Sequence, residues 1–75
     1  MSGLPVISGA ELCKILSRKG YVFDHQKGSH LVLRRNDFPY RRLTVSSRKE
    51  IPKGTLRAIL RQAGLTVEEF RTLML

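Results

Sequence analysis

Between Gly20 and Pro52 the chain leaves helical spacing for short β-branched and aromatic runs separated by turns, while both flanks carry apolar stripes of helical period. This change of period restricts the fold more than any other feature. Upstream, Ser8-Gly9-Ala10-Glu11 has the spacing of a capping box, and Leu12, Ile15, Leu16 and Lys19 follow at i, i+3, i+4 and i+7, so three apolar groups share one face. The pattern predicts a helix over Gly9 to Lys19, ended by Gly20 in the left-handed conformation.

Tyr21-Val22-Phe23 and Leu31-Val32-Leu33, joined through Gln26-Lys27-Gly28-Ser29, read as a hairpin over residues 21 to 34. Asn36-Asp37-Phe38-Pro39 supplies the next turn. From Arg41 to Ser46 polar residues alternate with Leu43 and Val45, as in a strand with one wet face. Pro52 precedes a second helix, over about Lys53 to Ala63, whose stripe is Leu56, Ile59, Leu60 and Ala63 before Gly64. A second capping box, Thr66-x-x-Glu69, opens a short helix expected to turn Phe70, Leu73 and Met74 to the core.

The expected order is αβββα plus a short C-terminal helix, an α+β fold with a three-stranded antiparallel sheet and helices packed on one face. With 75 residues this is read as one domain spanning 1 to 75, and any site on it must be shallow. If Leu31 and Leu33 point inward, His30, Val32 and Arg34 occupy the open face, placing the histidine beside an arginine.

Several functions are disfavoured by composition. No apolar run exceeds Leu4-Pro5-Val6-Ile7, which argues against a membrane span or a secretory leader and for a cytoplasmic protein. Cys13 stands alone, without partners for a disulfide or a zinc site, and reads as helix packing. Six scattered acids give no magnesium-type carboxylate pair, and Lys53-Gly54-Thr55 lacks the rest of a P-loop.

The net charge of +8 lies entirely between Lys27 and Arg61, where ten basic residues face only Asp37 and Glu50. A field so concentrated attracts polyanions, nucleic acid foremost, and an arginine-rich set suits phosphate. For a small basic domain, RNA transesterification is the least demanding phosphate chemistry, because the ribose 2′-OH is the nucleophile and neither metal nor cofactor is needed. Histidine, with an ordinary pKa of about 6.5, suits the proton step, and arginine or lysine offsets charge on phosphorus.

The chain offers His25 and His30. Each also has a plain reading as a surface residue, most of all His25, which is expected at the end of the first strand beside the turn, with a supporting role left open. Gly28 and Ser29 admit either a hairpin turn or a contact to RNA, and Lys53 either an ordinary helix start or a phosphate contact.

Taken together, "LPVISGAEL", "KGYVF", "QKGSHLVLRR", "KGTLRAILRQAGL" and "TVEEF", in this order, resemble the HicA toxins of bacterial toxin–antitoxin systems, small mRNA interferases with a double-stranded-RNA-binding-domain-like fold. The resemblance implies metal-independent, ribosome-independent cleavage of mRNA, and a HicB-type antitoxin partner that covers the site. It assigns the catalytic role to the histidine of Gly-Ser-His, here His30, with Gly28 and Ser29 holding it. Where members often carry Val-Pro-x-His before the second helix this chain has "VSSR", so Ser46 and Arg48 stand at the Pro and His positions and Arg48 is a candidate phosphate contact. Lys27, Arg34, Arg35 and Lys53 complete the expected RNA-contacting set. Two other readings remain open on the residues alone: a non-catalytic RNA-binding module of the same fold, and a ribosome-associated or protein-binding basic domain.

Overall fold

The computed structural model describes residues 4–37 and 41–75, so Phe38 and Pro39 of the expected second turn lie outside the described residues. The elements run α1 (Gly9–Ser17), β1 (Tyr21–Lys27), β2 (His30–Arg35), β3 (Arg42–Ser46), α2 (Lys53–Ala63) and α3 (Val67–Met74). The three strands form one antiparallel sheet in the order β1-β2-β3. This is the α+β, double-stranded-RNA-binding-domain-like arrangement expected from the sequence.

Both capping boxes form. The Ser8 hydroxyl accepts from the Glu11 amide at 3.1 Å while Glu11 accepts from the Ser8 amide at 2.9 Å, and Thr66 and Glu69 repeat the exchange at 3.0 and 2.9 Å. Helix α1 stops at Ser17, short of Lys19, because the amides of Arg18, Lys19 and Gly20 reach carbonyls three residues back and tighten the chain into a turn.

Register fixes two distinct sheet faces. Facing pairs Phe23–Leu33–Leu43 and Gln26–Leu31–Val45 lie on the side covered by the helices, where Leu33, Leu43 and Val45 are buried against Leu12 and Leu16 of α1, Leu56 and Leu60 of α2 and Phe70 of α3. Burying each such side chain stabilises the fold by roughly 1.5–3 kcal/mol. Tyr21 is fully buried at the start of β1, where its hydroxyl donates to the Ala63 carbonyl at 3.3 Å and so is not left unpaired. Leu73 is partly buried as expected, but Met74, the last residue of α3, is 37% exposed.

The opposite face carries three rows across the sheet: Val22–Arg34–Arg42, His25–Val32–Thr44 and Lys27–His30–Ser46. None of these nine side chains is buried. One irregularity shapes this face. Between Phe23 and His25 the β1–β2 register slips by one residue, making Asp24 a bulge. Strict alternation from Tyr21 would turn His25 toward the helices; the bulge turns it outward instead, opposite Val32.

Candidate functional site

The site is assembled at the end of the sheet where the hairpin turns. Lys27 and His30 face each other across a two-residue loop in which Gly28 has φ +59° and no non-glycine residue has a positive φ. These are the signs of a type II′ turn, which needs glycine in its first central position. A Cβ on Gly28 would meet nothing within 4 Å, so backbone conformation, not crowding, demands glycine, and the turn is open to an approaching ligand.

On the other side of β2, His30 pairs with Ser46, the last residue of β3. Three backbone bonds tie this corner together: Ser47 N–H to the Ser29 carbonyl at 2.8 Å, Gly9 N–H to the Arg48 carbonyl at 2.8 Å, and Ile51 N–H to the Ile7 carbonyl at 2.9 Å. Gly9 is there because nothing larger fits: a Cβ at that position would overlap the Ser46 carbonyl oxygen and lie 2.9 Å from its carbon. The start of α1 thus presses directly on the strand end that carries Ser46 and leads to Arg48.

The result is an open recess of about 340 Å³ lined by Ser29, His30, Ser46, Arg48, Pro52 and Thr55. Its lining is hydroxyls, an imidazole and a guanidinium with a single proline. Pro52 stands at the N-cap of α2 without a side-chain cap, and the first turn of that helix contains no acid, so the free amides and the partial positive charge of the helix start add to the field of Arg48. An anion fits this electrostatic setting. His30 itself is exposed, with an acceptor or donor nitrogen available to a ligand.

The expected residues are only partly gathered. Ser29, His30 and Arg48 line the recess, Gly28 forms its turn, and Lys27 stands directly across from His30. Lys53 begins α2 beside the recess without lining it. Arg34 shares the open face with His30, but it lies two rows away at the far end of β2, so the expected adjacency is not what the register produces. It is engaged there by Asp24, Nε to Oδ1 at 3.4 Å, and by Asn36.

Arg35 points to the other face. It lies 5.7 Å from the Tyr21 ring centre and donates twice to Asp37 at 3.2 Å, which raises its pKa and lowers that of Asp37. Arg41 is similarly occupied, donating to the Gln62 carbonyl at 3.0 Å. The other seven basic residues of the span, including Arg42, Arg48 and Lys53, form no ion pair among the described residues.

His25 is not beside the turn but inside β1, with its side chain 52% exposed and its Nδ1 3.1 Å from Asp24 Oδ2. That bond, and after it the Arg34 guanidinium, holds the Asp24 carboxyl below its usual range. Cys13 is half-buried on α1, and burial pushes its thiol up, away from reactive thiolate.

A family model described as HicA toxin of bacterial toxin-antitoxin matches residues 9–65, a stretch that runs from the first residue of α1 past the end of α2 and includes every recess residue. The chain belongs to the HicA toxin family. No curated protein matches it. As a HicA toxin it is one half of a toxin–antitoxin system, and membership implies a cognate antitoxin. None of the described helices is long and apolar enough to cross a membrane.

Three residues of this HicA recess were not singled out by sequence reasoning as site residues: Ser46, Pro52 and Thr55. Ser46 becomes a neighbour only through the β2–β3 register, which no local pattern specifies. Thr55 could have been suspected from its place in the first turn of an uncapped helix.

Proposed function

We propose that this HicA toxin is a metal-independent mRNA interferase in which His30 is the general base. The observation that carries the reading is His30's placement: exposed on a sheet face no helix covers, inside a recess of hydroxyls and one free guanidinium.

The chemistry follows from those groups. RNA brings its own nucleophile, so the protein need only take the 2′-OH proton, hold the phosphate and offset the charge that grows on its oxygens. His30 takes the proton. Arg48 and the amides at the start of α2 bind the non-bridging oxygens, with Ser29, Ser46 and Thr55 as neutral donors and Lys27 as a second positive charge across the hairpin. The 2′-oxygen bonds to phosphorus as the 5′-oxygen leaves, giving a 2′,3′-cyclic phosphate and a 5′-hydroxyl end. Because the recess is shallow, its substrate is unpaired RNA laid across the open face, and mRNA is the cellular source of such strands. A HicB-type antitoxin silences the enzyme by occupying the same face.

End-group analysis tests this. Purified protein should cut single-stranded RNA in excess EDTA and leave 2′,3′-cyclic phosphate; 3′-hydroxyl ends, or cleavage that requires added magnesium, would contradict it.

A further inference from the structure

Transesterification needs a second proton transfer, to the departing 5′-oxygen, and the recess around His30 contains no group suited to it. Lys27 faces His30, but its ammonium, a compact point charge on a flexible stem, is suited to offsetting phosphate charge. The bulge in β1 supplies another group. By inserting Asp24 it rotates His25 out of the covered face and sets it opposite Val32, two residues along β2 from His30. The two imidazoles are therefore diagonal neighbours on one face, about 7–8 Å apart at the backbone.

That separation matches what in-line displacement asks for. Attacking and leaving oxygens lie on opposite sides of the phosphorus, so acid and base must flank the phosphate and not crowd one edge of it. The bulge residue also does a second thing. Asp24 holds Nδ1 of His25 at 3.1 Å and is itself held by Arg34 at 3.4 Å, which fixes the ring's tautomer and leaves Nε2 as the free nitrogen. The His25 ring forms no other hydrogen bond among the described residues.

We infer that His25 is the general acid of the reaction and Asp24 its positioning residue. The inference rests on the proposed nuclease activity and on His30 as base. Nε2–H of protonated His25 gives its proton to the 5′-oxygen as the P–O5′ bond breaks, while His30 has taken the 2′-OH proton as the 2′-O–P bond forms. Water exchange then returns both rings to their starting states, and no other reactant is consumed.

The test uses two single-stranded RNA substrates, one with the natural 5′-oxygen at the cleaved position and one with sulfur there. A thiolate leaves without needing a proton. His25→Gln should slow cleavage of the oxygen substrate by about 10²–10³-fold, within the usual range for a general acid, and cut the sulfur substrate at close to the wild-type rate. His30→Ala should stay slow on both. Asp24→Asn should show a smaller defect with the same rescue, and circular dichroism on each variant checks that the exposed substitutions leave the fold intact. The assignment is overturned if His25→Gln cuts the oxygen substrate normally or is slowed equally on both substrates. If wild-type protein cuts neither substrate, or His30→Ala cuts both normally, the underlying nuclease reading fails instead, and the inference with it.

Discussion

Replacing Gly9 by alanine adds one methyl group to the first residue of α1, where helix propensity alone would favour the change by up to about 1 kcal/mol. The structure predicts the opposite. The new Cβ would overlap the Ser46 carbonyl oxygen and crowd the Ser47 Cα at 3.0 Å, and all of these are backbone atoms that no rotamer change can move aside. Restoring ordinary contact requires the helix start and the end of β3 to separate by about 1 Å or more.

Such a separation stretches the Gly9–Arg48 bond, now 2.8 Å, and disturbs the neighbouring Ser47–Ser29 bond of the same length. Overpacking costs about 1–3 kcal/mol and each weakened backbone bond about 1 kcal/mol, so a net loss of roughly 2–4 kcal/mol remains after the helix gain. For a chain of this size that lowers the melting temperature by on the order of 10–25 °C. Thermal melts followed by circular dichroism measure it, with Gly54→Ala as the control, because a Cβ at Gly54 meets nothing within 4 Å. A Gly9→Ala protein melting within about 2 °C of wild type would refute the claim that α1 closes on the strand end.

Three further outcomes follow from the same geometry. Arg48→Ala should weaken RNA binding and lower the slope of log affinity against log salt by about 0.7, the value of one single-strand phosphate contact, whereas Arg35→Ala should leave the slope unchanged because Arg35 is held by Asp37 on the other face. The Ser8 and Thr66 amides, bonded to Glu11 and Glu69, hold both carboxyls below the ordinary value of 4.5. Their contribution to stability is therefore present above that pH and lost as pH falls through the lowered folded values; in Glu11→Gln/Glu69→Gln protein the urea midpoint should fall less steeply on acidification, and an unchanged acid limb would contradict it. Gly28→Ala should cost about 1–2 kcal/mol in urea unfolding with an unchanged slope, since its φ of +59° strains any other residue; a cost near zero would mean that the turn relaxes.

The elements were legible because their punctuation is local. Ser8 with Glu11, Thr66 with Glu69, and Gly28 before Ser29 each act within four residues, and each forms the structure its spacing suggests. What failed to show is what depends on register. The insertion of Asp24 has no glycine or turn signal to announce it, only the two bonds its carboxylate makes once the hairpin exists. It alone changes which face His25 occupies. In the same way alternation correctly put Arg34 on the face of His30 yet said nothing of distance, and the residues that share the recess with His30, Ser46 and Arg48 above all, come from a strand end reached only by long-range pairing. Charge was a similarly partial guide: of the ten basic residues between Lys27 and Arg61, the structure uses Arg34, Arg35 and Arg41 to hold itself together.

The central claim is that His30 does chemistry and is not merely a contact. Single-turnover cleavage of a labelled single-stranded RNA in EDTA, with RNA affinity measured on the same preparations, separates the two for wild type and His30→Ala. A general base predicts a rate loss of about 10²–10⁴-fold with affinity changed little. Cleavage by His30→Ala at the wild-type rate would contradict it.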